Sequence, residues 1–456
     1  MMLPATLTDE LTALLGARFS TIPGDRAQHA ESASYHRAPP PDAVVWPHTT
    51  DEVAAVLRAC NQAGVPVVAW GAGTSLEGHA LATRGGVTVD LTQMNRVIDL
   101  RAGDMQVTVQ PGITRESLNS DLRATGLFFP VDPGANATIG GMASTRASGT
   151  TAVRYGTMRD NVLALQVVLA DGRVIRTGSR AAKSSAGYDL TGLFVGAEGT
   201  LGIITELTLR LHGQPEDVAA AVCRFDDLDR AVECVTAVIQ CGIPMARIEF
   251  VDAATARAFN LASGAEMPET PHLMVEFHGS PGAVREDAEA FGEIARDYGA
   301  AGFDWATTAE DRARLWRMRH GAYHAVFSLR PGAQGIVTDV CVPMSHLAQA
   351  VADAAADIAA AGLVGPIVGH VGDGNFHALL LVDPDNADEL AAAKRVARGM
   401  AERALSVGGT CTGEHGIGMG KRDLLRAEHG PACDVMAAIK AALDPRGILN
   451  PDKLVS

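Results

Sequence analysis

The chain has 456 residues, 47% of them hydrophobic and 20% charged, the make-up of a globular protein long enough for two or three domains. Its 38 basic and 53 acidic side chains leave a net charge of −15 with no basic cluster, which argues against a nucleic-acid binder. No apolar run reaches the length of a membrane span.

The opening MMLPATLTDELTALLGARF has no basic stretch followed by an apolar one, and its pattern predicts a short amphipathic helix, not a signal peptide. Seven cysteines (Cys60, Cys223, Cys234, Cys241, Cys341, Cys411 and Cys433) form no CxxC pair, so the expectation is reduced thiols in a cytoplasmic protein. DEVAAVLRACNQAG predicts a helix, with an acidic first turn, apolar spacing of three and four, and Gly64 at its end. VPVVAW reads as a buried strand. A glycine loop follows, Gly71, Ala72, Gly73, Thr74, Ser75 and Leu76, then Gly78 and His79, and after it GGVTVDL alternates like another strand. The dinucleotide-binding motif with this glycine spacing needs a helix after its loop, so strand–loop–strand argues against it. Such a loop is either a tight connection or a set of unhindered backbone N–H groups for a phosphate.

DPGANATIGGMASTRASGT, residues 132–150, gathers Pro133, Gly134, Thr138, Gly140, Gly141, Ser148 and Gly149, and side chains this small let a bulky ligand approach the backbone. RYGTMRDNVLALQVVLADGRVIRTG, which carries Tyr155 and Gly156, predicts a hairpin turning at Asp171-Gly172. GAEGTLGIITELTLRL runs from Glu198, Gly199, Gly202 and Ile203 into a strand. Loops of this kind, separated in sequence, can wall one extended cofactor. LHGQPED, 211–217, is a break that predicts one domain over 1–212 and a second over 213–456. Beyond it, helical segments such as LDRAVECVTAVIQCG and LAQAVADAAADIAAAG come with intervening strands such as HLMVEFHG, an α/β or α+β pattern in two parts.

HVGDGNFH places His370 and His377 seven residues apart. On a helix they would be about 10 Å apart along the axis, and on one strand the odd offset would put them on opposite faces. The Gly-Asp-Gly centre between apolar flanks predicts a strand, a tight loop and a returning strand, with one histidine on each side. That geometry permits a shared metal, and equally two polar residues at a turn. GGTCTGEHGIGMGKR sets Glu414 and His415 among glycines; adjacent side chains point apart, so one can bind an ion while the other faces elsewhere. Two histidines and a glutamate make a catalytic-type ligand set. RARLWRMRHGAYHAVFSLRPG carries Arg312, Arg314, Arg317, Arg319 and Arg330, mostly a solvated helix face by pattern.

Taken in order, WGAGTSLEGHA, PGANATIGG…SGT…YG…RD, GAEGTLGIIT, HVGDGNFH, CTGEHGIGMGKR and DPRGILNPDK resemble the flavin-dependent D-2-hydroxy acid dehydrogenases of the vanillyl-alcohol-oxidase-like, or PCMH-type, FAD fold. LWRMRHGAY…LRPG…TDVCVP is most similar to the D-lactate dehydrogenase branch that passes electrons to cytochrome c or an equivalent carrier. The resemblance implies an α+β chain. A PCMH-type FAD-binding domain of two α+β subdomains would be joined to an α+β substrate domain with an antiparallel sheet, and a C-terminal helical segment would return to the FAD domain. FAD would be non-covalent, since no attachment residue stands out. Its pyrophosphate would lie on 71–78, with 133–150 and 198–203 around the rest and Asn450 packing back against it.

His370, His377 and Glu414 match the family's divalent-metal ligands, for which zinc or manganese would serve. His415 matches the proposed base, and Arg319 the arginine that pairs with the substrate carboxylate. Asn375 matches a residue near flavin and substrate, with a turn asparagine as the alternative. The implied reaction oxidises a D-2-hydroxy acid, first of all D-lactate to pyruvate: hydride goes to the flavin, the metal acidifies the hydroxyl, and His415 takes the proton. Members that accept 2-hydroxyglutarate carry polar groups where this chain has Tyr323, Gln334 and Leu379, so a grip on a distal carboxylate is missing, and Tyr323 becomes a substrate-side residue. Competing expectations are glycolate or D-2-hydroxyglutarate as substrate, or an alkyl-dihydroxyacetone-phosphate synthase-like transferase. Cytochrome c, a quinone or an electron-transfer flavoprotein would accept the electrons, and a homodimer or peripheral attachment to the inner membrane would also fit.

Overall fold

Thr49 accepts a hydrogen bond from the Glu52 N–H, and Gly64 ends the helix Thr50–Ala63 in the left-handed region at φ +65°. The predicted helix therefore starts and stops where its capping residues stand. Its buried stripe, which includes Val53, Val56, Leu57 and Cys60, packs with Leu7, Leu11 and Leu15 of the amphipathic N-terminal helix Ala5–Leu15. Both cover a four-stranded sheet ordered Phe19–Ser20, Ala43–Val45, Val87–Asp90, Val67–Trp70. The computed structural model describes residues 3–181 and 183–455.

Val67–Trp70 and Val87–Asp90 are adjacent and parallel, so the chain must travel back between them, and it does so in the irregular loop 71–86. That return puts the first glycine loop at the C-terminal end of a parallel strand. A second, antiparallel sheet is ordered Val97–Arg101, Gln106–Val109, Ile203–Arg210, Val162–Val168, Val174–Gly178. The hairpin read from Asp171-Gly172 is present: Val168 pairs with Val174, and Gly172 turns at φ +81°.

The largest sheet uses strands between 217 and 382. Its path is Phe303–Ala306, Asp217–Arg224, His272–Gly279, Met245–Val251, Ile367–His370, Asn375–Val382, Gln334–Val337, with Val340–Cys341 also on Asn375–Val382. All its pairings are antiparallel. Strand alternation gives the sheet two different faces. Phe250, Val275, Phe277, Phe376 and Leu380 pack under the helices Leu228–Gln240, Pro281–Asp297, Leu347–Ala360 and Ala387–Ser406. The other face carries Arg247, Glu249, Glu276, His370 and His377 among apolar neighbours and meets the helix Ala309–His320. Among the described residues, no helix is long and apolar enough to cross a membrane.

After the helix Ala432–Leu443 the chain returns to the first sheet: the Val67 N–H donates to Ile448 O at 2.8 Å and the Asn450 N–H to Val67 O at 2.8 Å. The expected α+β architecture, with a C-terminal segment folding back, is the one observed. Buried Lys440 holds that return. Its ammonium donates to Thr200 O (2.8 Å), Leu449 O (2.7 Å) and the Asp444 carboxylate (2.5 Å). Lys440→Met would leave Asp444 as an uncompensated buried charge, and a loss of about 3–5 kcal/mol is expected, seen as an earlier urea midpoint; a midpoint equal to wild type would refute the clasp.

Candidate active site

The two histidines face one another because the chain folds back between them. His370 ends one strand, a short turn through Gly374 (φ +77°) reverses the chain, and Val368 pairs with His377. His370 and His377 therefore share a sheet face two positions out of register, with ring centroids 5.4 Å apart. Each ring is oriented by a fixed acceptor behind it. His377 Nδ1 donates to Thr338 O at 3.0 Å, and His370 Nδ1 lies 2.9 Å from Glu249 Oε1. Both Nε2 atoms then point forward to Glu414 Oε1, at 3.3 Å from His370 and 3.2 Å from His377.

Glu414 and His415 sit on an irregular loop held by two buried carboxylates from distant parts of the chain. Asp339 Oδ2 accepts from the N–H groups of Glu414 (3.0 Å) and His415 (2.8 Å) and from the Thr412 hydroxyl (2.6 Å). The Glu198 carboxylate accepts from the N–H groups of Ile417 (2.7 Å) and Gly418 (2.9 Å). The Ser148 hydroxyl donates to Glu414 Oε2 at 2.8 Å. The His415 ring stacks on His377 with centroids 4.8 Å apart, its Nδ1 3.9 Å from Asp339 and its Nε2 3.7 Å from Glu414.

Burial and charge pull against each other here. Burial alone would lower the His370 pKa, but Glu249 and Glu414 raise it well above the usual histidine value. Burial likewise opposes ionised Glu414, and His370 and His377 outweigh it, holding the carboxyl well below the ordinary range. At His415 burial prevails over Asp339 and keeps the imidazole below its usual pKa. Asp339 stays low despite burial because His415, Lys421 and His377 surround it.

Of the five arginines around 312–330, Arg319 is the one that turns inward; it is 5% exposed, with Nη2 2.6 Å from Glu249 Oε2. Its helix is fixed to the sheet by Trp316, whose Nε1 donates to Glu276 and whose ring covers Arg247 at 4.5 Å. Arg247 in turn pairs with Asp132 (3.1 Å) and Glu276 (3.2 Å). Tyr323 donates to Ala33 O at 3.4 Å.

A cavity of about 400 Å³ joins these groups to the glycine loops. It is lined by Gly71, Ala72, Gly73, Thr74, Ser75, Leu76 and His79 of the first loop, and by Pro133, Gly134, Thr138, Gly140 and Gly141 of the second. Glu198, Gly199, Gly202, Ile203 and Asn450 also line it, as do Arg319, Tyr323, His370, His377, Glu414 and His415.

Six expected residues stand elsewhere. Gly78 packs on Met419, and Gly149 on the backbone of Asp132. Ser148 reaches the site only through Glu414. Tyr155 turns away to donate to His278 (2.7 Å), and Gly156 packs on Asp160. Asn375 lies behind His377, donating to Asp339 (2.8 Å) and Val340 O (2.9 Å). On the strand of Gln334 the residue that lines the cavity is Val337, paired with Leu379.

Sequence reasoning missed Glu249, Glu276, Asp132 and Asp339. A signal existed for the first two, a carboxylate inside the apolar runs ARIEFV and LMVEFHG, which is costly unless paired.

The donor set fits a divalent cation. Two Nε2 atoms and a carboxylate oxygen lie within 4.8 Å of one another, their Nδ1 atoms already engaged, and buried His377 Nε2 has no hydrogen-bond partner. Around them Glu77, Glu249, Asp339 and Glu414 face the permanent cations Arg319 and Lys421, so positive charge is short. The loops fit a large cofactor: a Cβ on Gly71 would overlap Thr138 Oγ1, and Asn450 Oδ1 and both His79 ring nitrogens are buried without hydrogen bonds at the cavity wall.

Two families match the chain: "FAD linked oxidases, C-terminal domain" over residues 214–454 and "FAD binding domain" over 41–178. "Probable D-lactate dehydrogenase, mitochondrial" of Danio rerio is 51% identical over 94% of this chain and 87% of its own. "D-lactate dehydrogenase [cytochrome], mitochondrial" of Arabidopsis thaliana is 44% identical over 99% and 80%. "D-lactate dehydrogenase [cytochrome] 1, mitochondrial" of Saccharomyces cerevisiae is 38% identical over 98% and 79%. Among solved structures, an alkyldihydroxyacetonephosphate synthase superposes with TM-score 0.80 at 20% identity over 99% of this chain and 86% of that one. A p-cresol methylhydroxylase with substrate bound gives 0.78 at 17% over 99% and 96%. Identities this low establish the fold alone.

The mitochondrial relatives overturn the expectation of a cytoplasmic protein. All seven cysteines are free, but free thiols report only a reducing compartment and do not say which one.

Thr138 caps the helix Ile139–Thr145, so it cannot yield to a new methyl group at residue 71. Gly71→Ala is expected to weaken FAD retention by about 10–100-fold, from an overpacking cost of about 1–3 kcal/mol, measured as the flavin-to-protein absorbance ratio after dilution.

Proposed function

The chain belongs to the FAD-linked oxidases and is an FAD-dependent oxidoreductase, and from that premise we propose that it oxidises D-lactate to pyruvate and passes the electrons to cytochrome c. One observation carries the reading: a single cavity is walled by the glycine loops on one side and by Arg319 with the histidine–glutamate set on the other. In this reading residues 1–212 hold FAD, non-covalently, and residues 213–456 supply the substrate and metal groups. FAD when bound supplies the hydride acceptor, and zinc or manganese on His370, His377 and Glu414 supplies Lewis acidity.

The chain's own residues do the rest. Arg319 is the one arginine or lysine among the described residues lining the cavity, which suits a single carboxylate. Val337, Val368 and Leu379 stand on the same sheet face as His370 and His377 and offer an apolar wall to a short alkyl group. No second arginine or lysine is present among the described lining residues to grip a distal carboxylate, which favours D-lactate over D-2-hydroxyglutarate. His415 takes the hydroxyl proton at Nε2, the nitrogen on the Glu414 side, and Asp339 behind Nδ1 steadies the imidazolium that results. Burial of Arg319, His370 and His377 strengthens the interactions they make.

The reading is tested anaerobically, with D-lactate, L-lactate and D-2-hydroxyglutarate in separate cells and the flavin absorbance followed. Bleaching by D-lactate alone, abolished by a chelator and restored by Zn²⁺ or Mn²⁺, is expected; a flavin that D-lactate leaves oxidised would sink the assignment. Arg319→Lys should raise the D-lactate KM by about 10–100-fold, the worth of a charge-assisted hydrogen bond of about 1.5–3 kcal/mol, with metal content unchanged.

A further inference from the structure

Glu249 lies between the two positive regions of the site. One carboxylate oxygen, Oε1, is 2.9 Å from Nδ1 of His370, and the other, Oε2, is 2.6 Å from Nη2 of Arg319. Its strand fixes it there, since Phe250 pairs with Gly369 and Glu249 therefore stands beside His370 on the same face of the sheet. It is 1% exposed, and among the described residues these two groups are the ones that pair with it at this depth.

We propose that Glu249 is a positioning residue that screens the guanidinium of Arg319 from the cation held at His370, so that both can occupy one cavity wall. The inference rests on the metal and arginine roles given above. Without the screen, a guanidinium and a divalent ion would sit on either side of one imidazole ring with no anion between them, and like charges so placed oppose each other by several kcal/mol. The same carboxylate keeps the His370 ring in the tautomer whose Nε2 faces Glu414. It also competes with an incoming substrate carboxylate for Arg319. Glu249 therefore strengthens metal binding and weakens substrate binding. The two effects have opposite signs, which a residue needed only for packing would not produce.

Glu249→Gln separates them. The amide keeps an acceptor for the His370 Nδ1–H and about the same volume, but it loses the charge. Full-length, FAD-replete protein is stripped of metal and titrated with Mn²⁺, with free Mn²⁺ read by electron paramagnetic resonance. The D-lactate KM is then measured at saturating Mn²⁺. E249Q is expected to bind Mn²⁺ about 10–100-fold more weakly and to show a KM lowered by about tenfold, with FAD content equal to wild type. E249D keeps the charge and should hold Mn²⁺ close to wild-type affinity. Unchanged values in E249Q would overturn the proposal, as would a weaker Mn²⁺ site together with a raised KM, the signature of plain structural damage. Wild-type protein that takes up no Mn²⁺ would instead sink the metal-site reading, and an unlowered KM in E249Q would then overturn the role of Glu249 by itself.

Discussion

Buried negative charge is the constraint around which this site is built. Asp132, Glu198, Glu249, Glu276 and Asp339 are each at most 4% exposed, and an unpaired carboxylate at such depth would cost several kcal/mol. Each is matched by specific donors. Asp132 and Glu276 share Arg247, Glu249 shares His370 with Glu414, and Asp339 and Glu198 each collect backbone N–H groups from the loop 412–418. Satisfying these charges fixes the helix that bears Arg319 and the loop that bears His415. The placement of Arg319 and His415 is thus a by-product of charge that has to be neutralised inside the protein.

That constraint also explains what the sequence did and did not disclose. Local rules sufficed for the capped helix Thr50–Ala63, for the Asp171-Gly172 hairpin and for the reversal that brings His370 and His377 together, because each is decided within about a dozen residues. Glu249 is 121 residues from His370 and Asp339 is 75 residues from Glu414, so no local pattern announces either pairing. Most residues that the family resemblance named line the cavity, whereas Tyr155 and Gly156, close in sequence to the second glycine loop, face His278 and Asp160.

The fold is shared with a synthase and a methylhydroxylase at 17–20% identity, so the architecture by itself does not choose a reaction. What the fold leaves open is set by side chains, and one face of the large antiparallel sheet gathers the histidines and Glu249. Because side chains alternate along a strand, the same strands that build an oily core with Phe250, Val275 and Phe376 present Glu249, His370 and His377 on the reverse side. Moving any of these strands by one residue would exchange a packing group for a chemical one.

The return of residues 448–453 to the first sheet has a consequence for the timing of synthesis. The loop 71–86 is flanked by contacts from late in the chain: Asn450 donates to the carbonyl of His79 across 371 residues, and Lys453 to that of Leu81 across 372. At typical translation speeds a span of 372 residues takes roughly 20–75 s to synthesise. For that interval the nascent N-terminal half carries a glycine loop with one of its walls missing. The wall that residues 448–453 give this loop is therefore completed only after they have been synthesised.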